Sequence, residues 1–450
     1  VCELSRNIII IITVTSVAGD DEEHFDPHAH RKVPKPTTYG ETMMHMLKGS
    51  MGAGMLAMPD AVRRMGIVMG AIGIIGIGLF ATYCIQLLVY AEYKVCKKLR
   101  RGYVKFPKGM KVAIQNGPKC IRWSGVIFYQ LVDTFLITWQ IGVCAIYFVF
   151  VSENVKQVLD FYGIEYSVRF IICCCFPLLL VLSWVKDLKL LTPISSFSNF
   201  IILIGLILVF FYLVQDDIVM DEKKLKGQGI SELPIFVGIT LFALEAVGVV
   251  LALEYNMEKP KEFTGIFGLF SIGMFIIVSI FALLGVFGYL KYGDQVKASI
   301  TLNLPFEEKK AQVAKLSFAT ALFLSFPLQN FVAYHILWQK IRKRVKFKGA
   351  WSVDYALRLI LVCVKLFAVS MAVAAPSLGP FMGLIGALSL TMVAIVFPAL
   401  MDLCLYFPKN FGPCHYKFFR DLLIIILGTF SMVAGVYTSL LEIYEKFGEI

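Results

Sequence analysis

Residues 49–54 read Gly49-Ser50-Met51-Gly52-Ala53-Gly54, and Pro59 follows five residues later. The stretch lies inside an apolar run at about 41–62, the length that crosses a roughly 30 Å hydrocarbon core as a helix. Each glycine inside a helix costs about 1 kcal/mol relative to alanine. Here the glycines are spread round the helix, not gathered on the single face that close helix packing would use. The stretch therefore reads as an unwound hinge inside a membrane span.

Composition outward from the hinge agrees with a membrane setting. Of 450 residues 58% are hydrophobic and 17% charged, with mean hydropathy +0.73. A soluble domain is roughly 45–50% apolar and about 25% charged, so a soluble enzyme is excluded, as is a disordered or collagen-like chain. Eleven apolar runs follow, at about 41–62, 67–93, 124–154, 168–185, 190–214, 233–254, 265–290, 312–338, 355–375, 381–405 and 421–443. The fold expected is an all-α membrane protein of about 11 transmembrane helices.

The 43 Lys and Arg against 32 Asp and Glu give a net charge of +11. Ten of these basic residues lie between Lys94 and Arg122 and six between Lys340 and Lys348. That clustering fits cytosolic loops and argues against nucleic-acid binding. It places the N-terminus in the cytosol. The 11 cysteines sit mostly in apolar runs, with neither zinc spacing nor a disulfide framework. No metal site and no catalytic constellation is expected. Residues 1–40 form a separate cytosolic tail, with Asp20–Thr38 rich in charge, His and Pro and expected to be disordered. Within it, Ile8–Val14 is too short to span a bilayer and has the features of a signal-peptide core. The transmembrane domain is expected at 41–445.

A second break is expected in the sixth run, at Phe242-Ala243-Leu244-Glu245-Ala246-Val247-Gly248, where Glu245 is an intramembrane carboxylate. Such a group is expensive and marks function by default. If spans 1–5 and 6–10 are two halves, the two breaks occupy corresponding places, the best sequence pointer to a transporter's midplane site. An unwound segment exposes amides at the start of one half-helix, which attract a carboxylate. The carbonyls freed at the end of the other accept from an ammonium. A zwitterionic amino acid carries both groups.

At these residues the chain resembles the proton-coupled amino acid transporters of the amino acid/auxin permease superfamily. The resemblance begins at Glu41-Thr42-Met43-Met44-His45-Met46-Leu47-Lys48-Gly49 and continues through Val132-Asp133, Gln140-Ile141-Gly142 and Tyr147-Phe148-Val149-Phe150. Glu245 to Leu253-Glu254 and Ser299-Ile300-Thr301-Leu302-Asn303-Leu304-Pro305 extend it, so that it covers about residues 37–445. It implies a 5+5 inverted-repeat core with discontinuous first and sixth helices, plus one extra helix. It also implies proton-coupled movement of small neutral amino acids with no bound cofactor. By position, Gly49, Ser50, Met51, Gly52, Ala53 and Gly54 would line the carboxylate site, and Phe242, Ala243, Leu244 and Glu245 the facing break. His45 and Glu245 would serve proton coupling, His45 because an imidazole titrates near neutral pH.

The departures from the family pattern fall at the site. Ser50 stands for a usual Asn, Ala53 for a Thr, Ala243 for a Ser and Ala246 for a Gly, while His335 stands where relatives often carry Glu. Two neighbouring readings follow, a Na⁺-coupled carrier using hydroxyls such as Thr320 or Ser325, and a non-transporting sensor. A membrane-embedded enzyme would rest on His335 alone. The expected partners are an amino acid and the lipid bilayer, in a plasma or a lysosomal/vacuolar membrane.

Overall fold

The computed structural model describes residues 25–182, 188–215, 222–225, 227–244, 247–344, 349–374, 378–408 and 411–448. Its helices, in chain order, are α1 (Tyr39–Ser50), α2 (Met58–Met65), α3 (Ile67–Lys98), α4 (Phe106–Asn116), α5 (Gly125–Phe161), α6 (Val168–Leu182), α7 (Leu188–Val214) and α8 (Leu233–Ala243). They continue as α9 (Val247–Asn256), α10 (Leu269–Tyr292), α11 (Lys309–Arg344), α12 (Ala350–Ala374), α13 (Leu378–Ile385), α14 (Phe397–Tyr406) and α15 (Tyr416–Gly448). Among the described residues seven helical runs are long and apolar enough to cross a membrane. The other expected spans are also helical, two of them in pieces.

The first span breaks where its glycines fall. α1 starts from a reciprocal cap, Glu41 N donating to Thr38 Oγ1 at 3.3 Å and Thr38 N to Glu41 Oε2 at 2.8 Å. It stops at Ser50 because Met51 (φ −90°, ψ 84°) and Gly52 (φ −124°, ψ −163°) leave helical geometry. A 3₁₀ turn over Ala53–Ala57 leads into α2, whose first turn holds Pro59 where its missing N–H leaves no gap in the ladder. Gly66, at φ 80°, then turns the chain into α3. The sixth span repeats the device: α8 carries Pro234 in its first turn and ends at Leu244 (φ −80°, ψ 44°), and α9 resumes at Val247.

The two broken spans run antiparallel. Thr37 N donates to Asn256 O at 2.8 Å and Glu258 N to Thr37 O at 2.9 Å, which sets the start of α1 beside the end of α9. At the opposite end Arg64 Nη1, from the last turn of α2, reaches Glu232 Oε2 just before α8, at 2.5 Å. Four of the five pairs of corresponding spans pack on each other: α2 on α8, α3 on α10, α5 on α11 and α6 on α12. That pairing is what two inverted copies about a common axis produce.

The core is centred on α5, α8 and the tenth span. Trp139, Val143 to Phe150 and Phe236 to Leu244 are almost all buried. The tenth span is π-helical over Gly386–Val396, between α13 and α14. Its approach to α8 is backbone on backbone, since a Cβ on Gly386 would lie 2.0 Å from Gly238 O and one on Gly238 2.4 Å from Gly383 O. Small residues permit that approach in a bilayer, where close packing rather than water drives helix association. The extra helix α15 lies outside, presenting Phe419, Leu423, Ile426, Phe430, Val433 and Tyr437 as an exposed apolar stripe suited to lipid.

The charged tail expected to be disordered is held in place over residues 25–38. Arg31 Nη1 donates to the carbonyls of Tyr255 (2.6 Å) and Met257 (2.8 Å), and Lys261 Nζ pairs with Asp26 at 2.9 Å. The carbonyls left without partners at the end of α9 give a guanidinium its acceptors.

Candidate functional site

The two breaks meet. A Cβ built on Gly54 would lie 2.5 Å from Ala243 Cα and 3.0 Å from its N, so the 3₁₀ turn after the first break touches the last residue of α8 with no side chain between them. Ala53, Gly54, Phe242, Ala243 and Leu244 are all buried there. Chain direction sets the electrostatics. The start of the Ala53–Ala57 turn presents amides without an i−4 acceptor, and the end of α8 presents carbonyls without a donor. A site with a partly positive edge facing a partly negative one suits a zwitterion.

The other expected residues are placed as follows. Ser50 is buried and its Oγ donates to Met46 O at 3.2 Å, so the hydroxyl turns back onto α1. Gly49, Met51 and Gly52 are partly buried at the break itself. Glu245 lies outside the described residues. His45 is exposed on α1, on a different face from the buried Thr42, Met46 and Ser50, and this conformation does not bring it to the meeting point of the breaks. The hydroxyls weighed for a Na⁺ site are also accounted for. Thr320 is exposed, and Ser325 Oγ lies 2.8 Å from Ser198 Oγ, which itself bonds Ala321 O at 2.6 Å. Among the described residues no group of three His, Cys, Asp or Glu is placed to hold a metal ion.

Further groups near the breaks come from α5 and the tenth span. Trp139 packs on Phe242 with ring centroids 5.2 Å apart. Gln140 Oε1, next in sequence, is buried with no hydrogen-bond partner, as are Ser389 Oγ and Thr391 Oγ1 on the π-helical segment. That segment packs on α8, α9, α5 and α3. Buried polar atoms without partners are uncommon and mark places where a ligand or water completes the bonding, and π-helical turns recur at functional sites. The sequence signal was a pair of hydroxyls, Ser389 and Thr391, in an otherwise apolar run.

A charged cluster lies at each end of the two broken spans. On one side Arg64, 4% exposed in its side chain, binds Asp60 (3.3 Å), Glu232 (2.5 Å) and both carboxylate oxygens of Glu442 (3.0 Å each). One guanidinium thus ties α2, the start of α8 and α15, using the bidentate geometry that arginine offers carboxylates. On the other side the segment at 25–38 covers the junction of α3 and α9. His28 Nδ1 lies 3.3 Å from Glu254 Oε1 and its ring lies tilted against Tyr93, with centroids 4.7 Å apart. Burial, opposed by the nearby Asp26 carboxylate, holds the His28 imidazole below its ordinary pKa. Asp26 loses solvation as well, yet Lys261 and the His28 N–H keep its carboxyl below the usual range.

Comparison with known proteins matches residues 35–441 to a family described as transmembrane amino acid transporter protein. A proton-coupled amino acid transporter-like protein, pathetic, of Drosophila melanogaster is 37% identical over 437 residues, covering 97% of this chain and 91% of the relative. Amino acid transporter AVT3C of Arabidopsis thaliana is 27% identical over 434 residues, covering 92% and 93%. Among solved structures, the inward facing conformation of Mhp1 superposes with TM-score 0.60 at 10% identity, covering 92% of this chain and 90% of that one. That last likeness is one of fold.

Proposed function

This chain belongs to the transmembrane amino acid transporter family, and we propose on that premise that it moves small neutral amino acids together with protons by alternating access. It is an integral, multi-pass membrane protein and a transporter of amino acids, not an enzyme. The observation that carries the proposal is the contact of Gly54 with Ala243. On this reading a positive helix edge and a negative one stand at one level, with charged clusters towards either end. Backbone groups there read the carboxylate and ammonium shared by all amino acids. The buried Trp139 and Phe242 leave little room for a large side chain.

Proton rather than Na⁺ coupling is supported by the name of the Drosophila relative and by Ser325, whose hydroxyl is already engaged with Ser198. His45 and Glu245 remain the proposed carriers within the first and sixth spans. The basic stretches at 94–122 and 340–348 put the end holding residues 25–38 in the cytosol. The test is uptake of labelled alanine, glycine and proline into proteoliposomes of purified protein. An inward proton gradient without Na⁺ should drive accumulation above the level reached at equal pH. Accumulation that requires a Na⁺ gradient and ignores pH would overturn the coupling.

A further inference from the structure

Glu92 is the least explained ionisable group among the described residues. It lies in the last turns of α3, 5% exposed, and neither carboxylate oxygen has a hydrogen-bond partner. Its seat is built for it. A Cβ on Gly109 of α4 would lie 2.1 Å from Oε1 and 2.4 Å from Oε2, so the carboxyl rests directly on the α4 backbone. Glu92 lines a cavity of about 30 Å³ with Pro27, His28, Tyr103, Leu251 and Glu254, room for about two water molecules. The roof of that cavity is the N-terminal segment.

We propose that Glu92, with Glu254 and His28, forms a second proton-binding site at the cytosolic end of the transporter. It stands apart from the helix breaks, and residues 25–38 cover it as a strap. The proposal rests on the proton-coupled reading above and names where the proton leaves. A buried carboxylate without a donor costs far more than the neutral acid, so Glu92 holds its proton while the strap is closed. When the strap lifts, the cavity floods, the Glu92 O–H bond breaks and the proton passes to water. Glu254 at the same moment loses its His28 partner and becomes the next acceptor.

The charged and titratable surroundings are consistent with one proton shared between carboxyls. The strap contributes Asp26, His28 and Arg31, and α3 contributes Tyr93 and Cys96 beside Glu92. Tyr103 comes from the loop after α3, Glu254 and Tyr255 from the end of α9, and Lys261 from the turn beyond it. α4 presents the bare backbone of Gly109 to the carboxyl. The cations Arg31 and Lys261 are engaged with backbone carbonyls and with Asp26, and among the described residues no cation bonds Glu92.

The test uses purified full-length protein in lipid nanodiscs and proteoliposomes. Infrared difference spectra across a pH jump should contain a protonated-carboxyl C=O band that Glu92→Gln removes and His28→Ala moves to a different pH. Glu92→Gln, which keeps the shape, should also weaken the dependence of alanine uptake on the proton gradient by roughly 5- to 150-fold, the size of a typical coupling between two sites. A band and a gradient dependence that survive unchanged in folded Glu92→Gln would overturn the site. A band that disappears in the variant while wild-type uptake follows Na⁺ alone keeps the site and sinks proton coupling. Proton-driven uptake without any Glu92 band does the reverse.

Discussion

Two glycines set distances that no other residue permits, and each yields a prediction. Gly54→Ala puts a methyl 2.5 Å from Ala243 Cα, so the breaks must separate. Amino acid uptake should be lost while surface abundance stays near normal, because the pieces on either side keep their own packing. Uptake at wild-type rates would show that the contact is not part of the transport cycle. Gly109→Ala drives a methyl into the Glu92 carboxyl. Overpacking of this kind costs about 1–3 kcal/mol and should lower the melting temperature. Glu92→Ala in the same chain removes the collision, so the double variant should recover part of that loss. Equal losses in the single and double variants would refute the fit.

Breaks and closures belong to the element scale. Arg64 holds α2, α8 and α15 at one end, and removing one partner of a buried ion cluster leaves the others uncompensated, at a cost of ~3–5 kcal/mol. Arg64→Met should therefore lower thermal stability sharply, and Glu442→Gln, which keeps the remaining pairs, should do so less; a thermal melt in detergent ranks them. At this scale the sequence was most readable. Gly52, Gly54 and Pro59 announced the first break, and the second fell at Leu244 as its place in the repeat implied. The π-helical segment at Gly386–Val396 was not readable, because its residues carry the same apolar pattern as an α-helix and the register change is imposed by contact with α8. Glu92 was missed for a similar reason. It sits one residue from the end of the expected 67–93 run, where a carboxylate reads as an interfacial residue; only Gly109, remote in sequence, shows that it is enclosed. His45 was singled out because it falls on the histidine of the family pattern, yet the conformation described leaves it exposed.

On the scale of the whole molecule the strap is where composition misled most, since its contacts are with carbonyls far along the chain. Arg31→Ala removes the donor to Tyr255 and Met257 and should loosen it. In a chain keeping only Cys96, which is 7% exposed beside the cavity, labelling by a membrane-impermeant maleimide applied to the face that carries residues 25–38 should rise. Unaltered labelling would mean the strap is not the cover. The same assay has a pH sign. Burial lowers the His28 pKa, so His28 binds fewer protons under the closed strap than the open one, opposite in sign to Glu92; in a Glu92→Gln background, where that carboxyl no longer titrates, the His28 sign stands alone. Closure is therefore favoured above the ordinary imidazole value of about 6.5 and weakened as pH falls below it. Labelling of Glu92→Gln should increase on acidification, and adding His28→Ala should flatten that response.

The paired packing of α2 with α8, α3 with α10, α5 with α11 and α6 with α12 has one further consequence. Two inverted copies alone make a nearly level balance, in which facing one side of the membrane costs about as much as facing the other. The parts that clamp the ends are not repeated: residues 25–38 precede the first copy, and α15 follows the second. The termini thus act as unequal weights on a symmetric beam, and which way the empty carrier rests is written in its appendages rather than in its pocket.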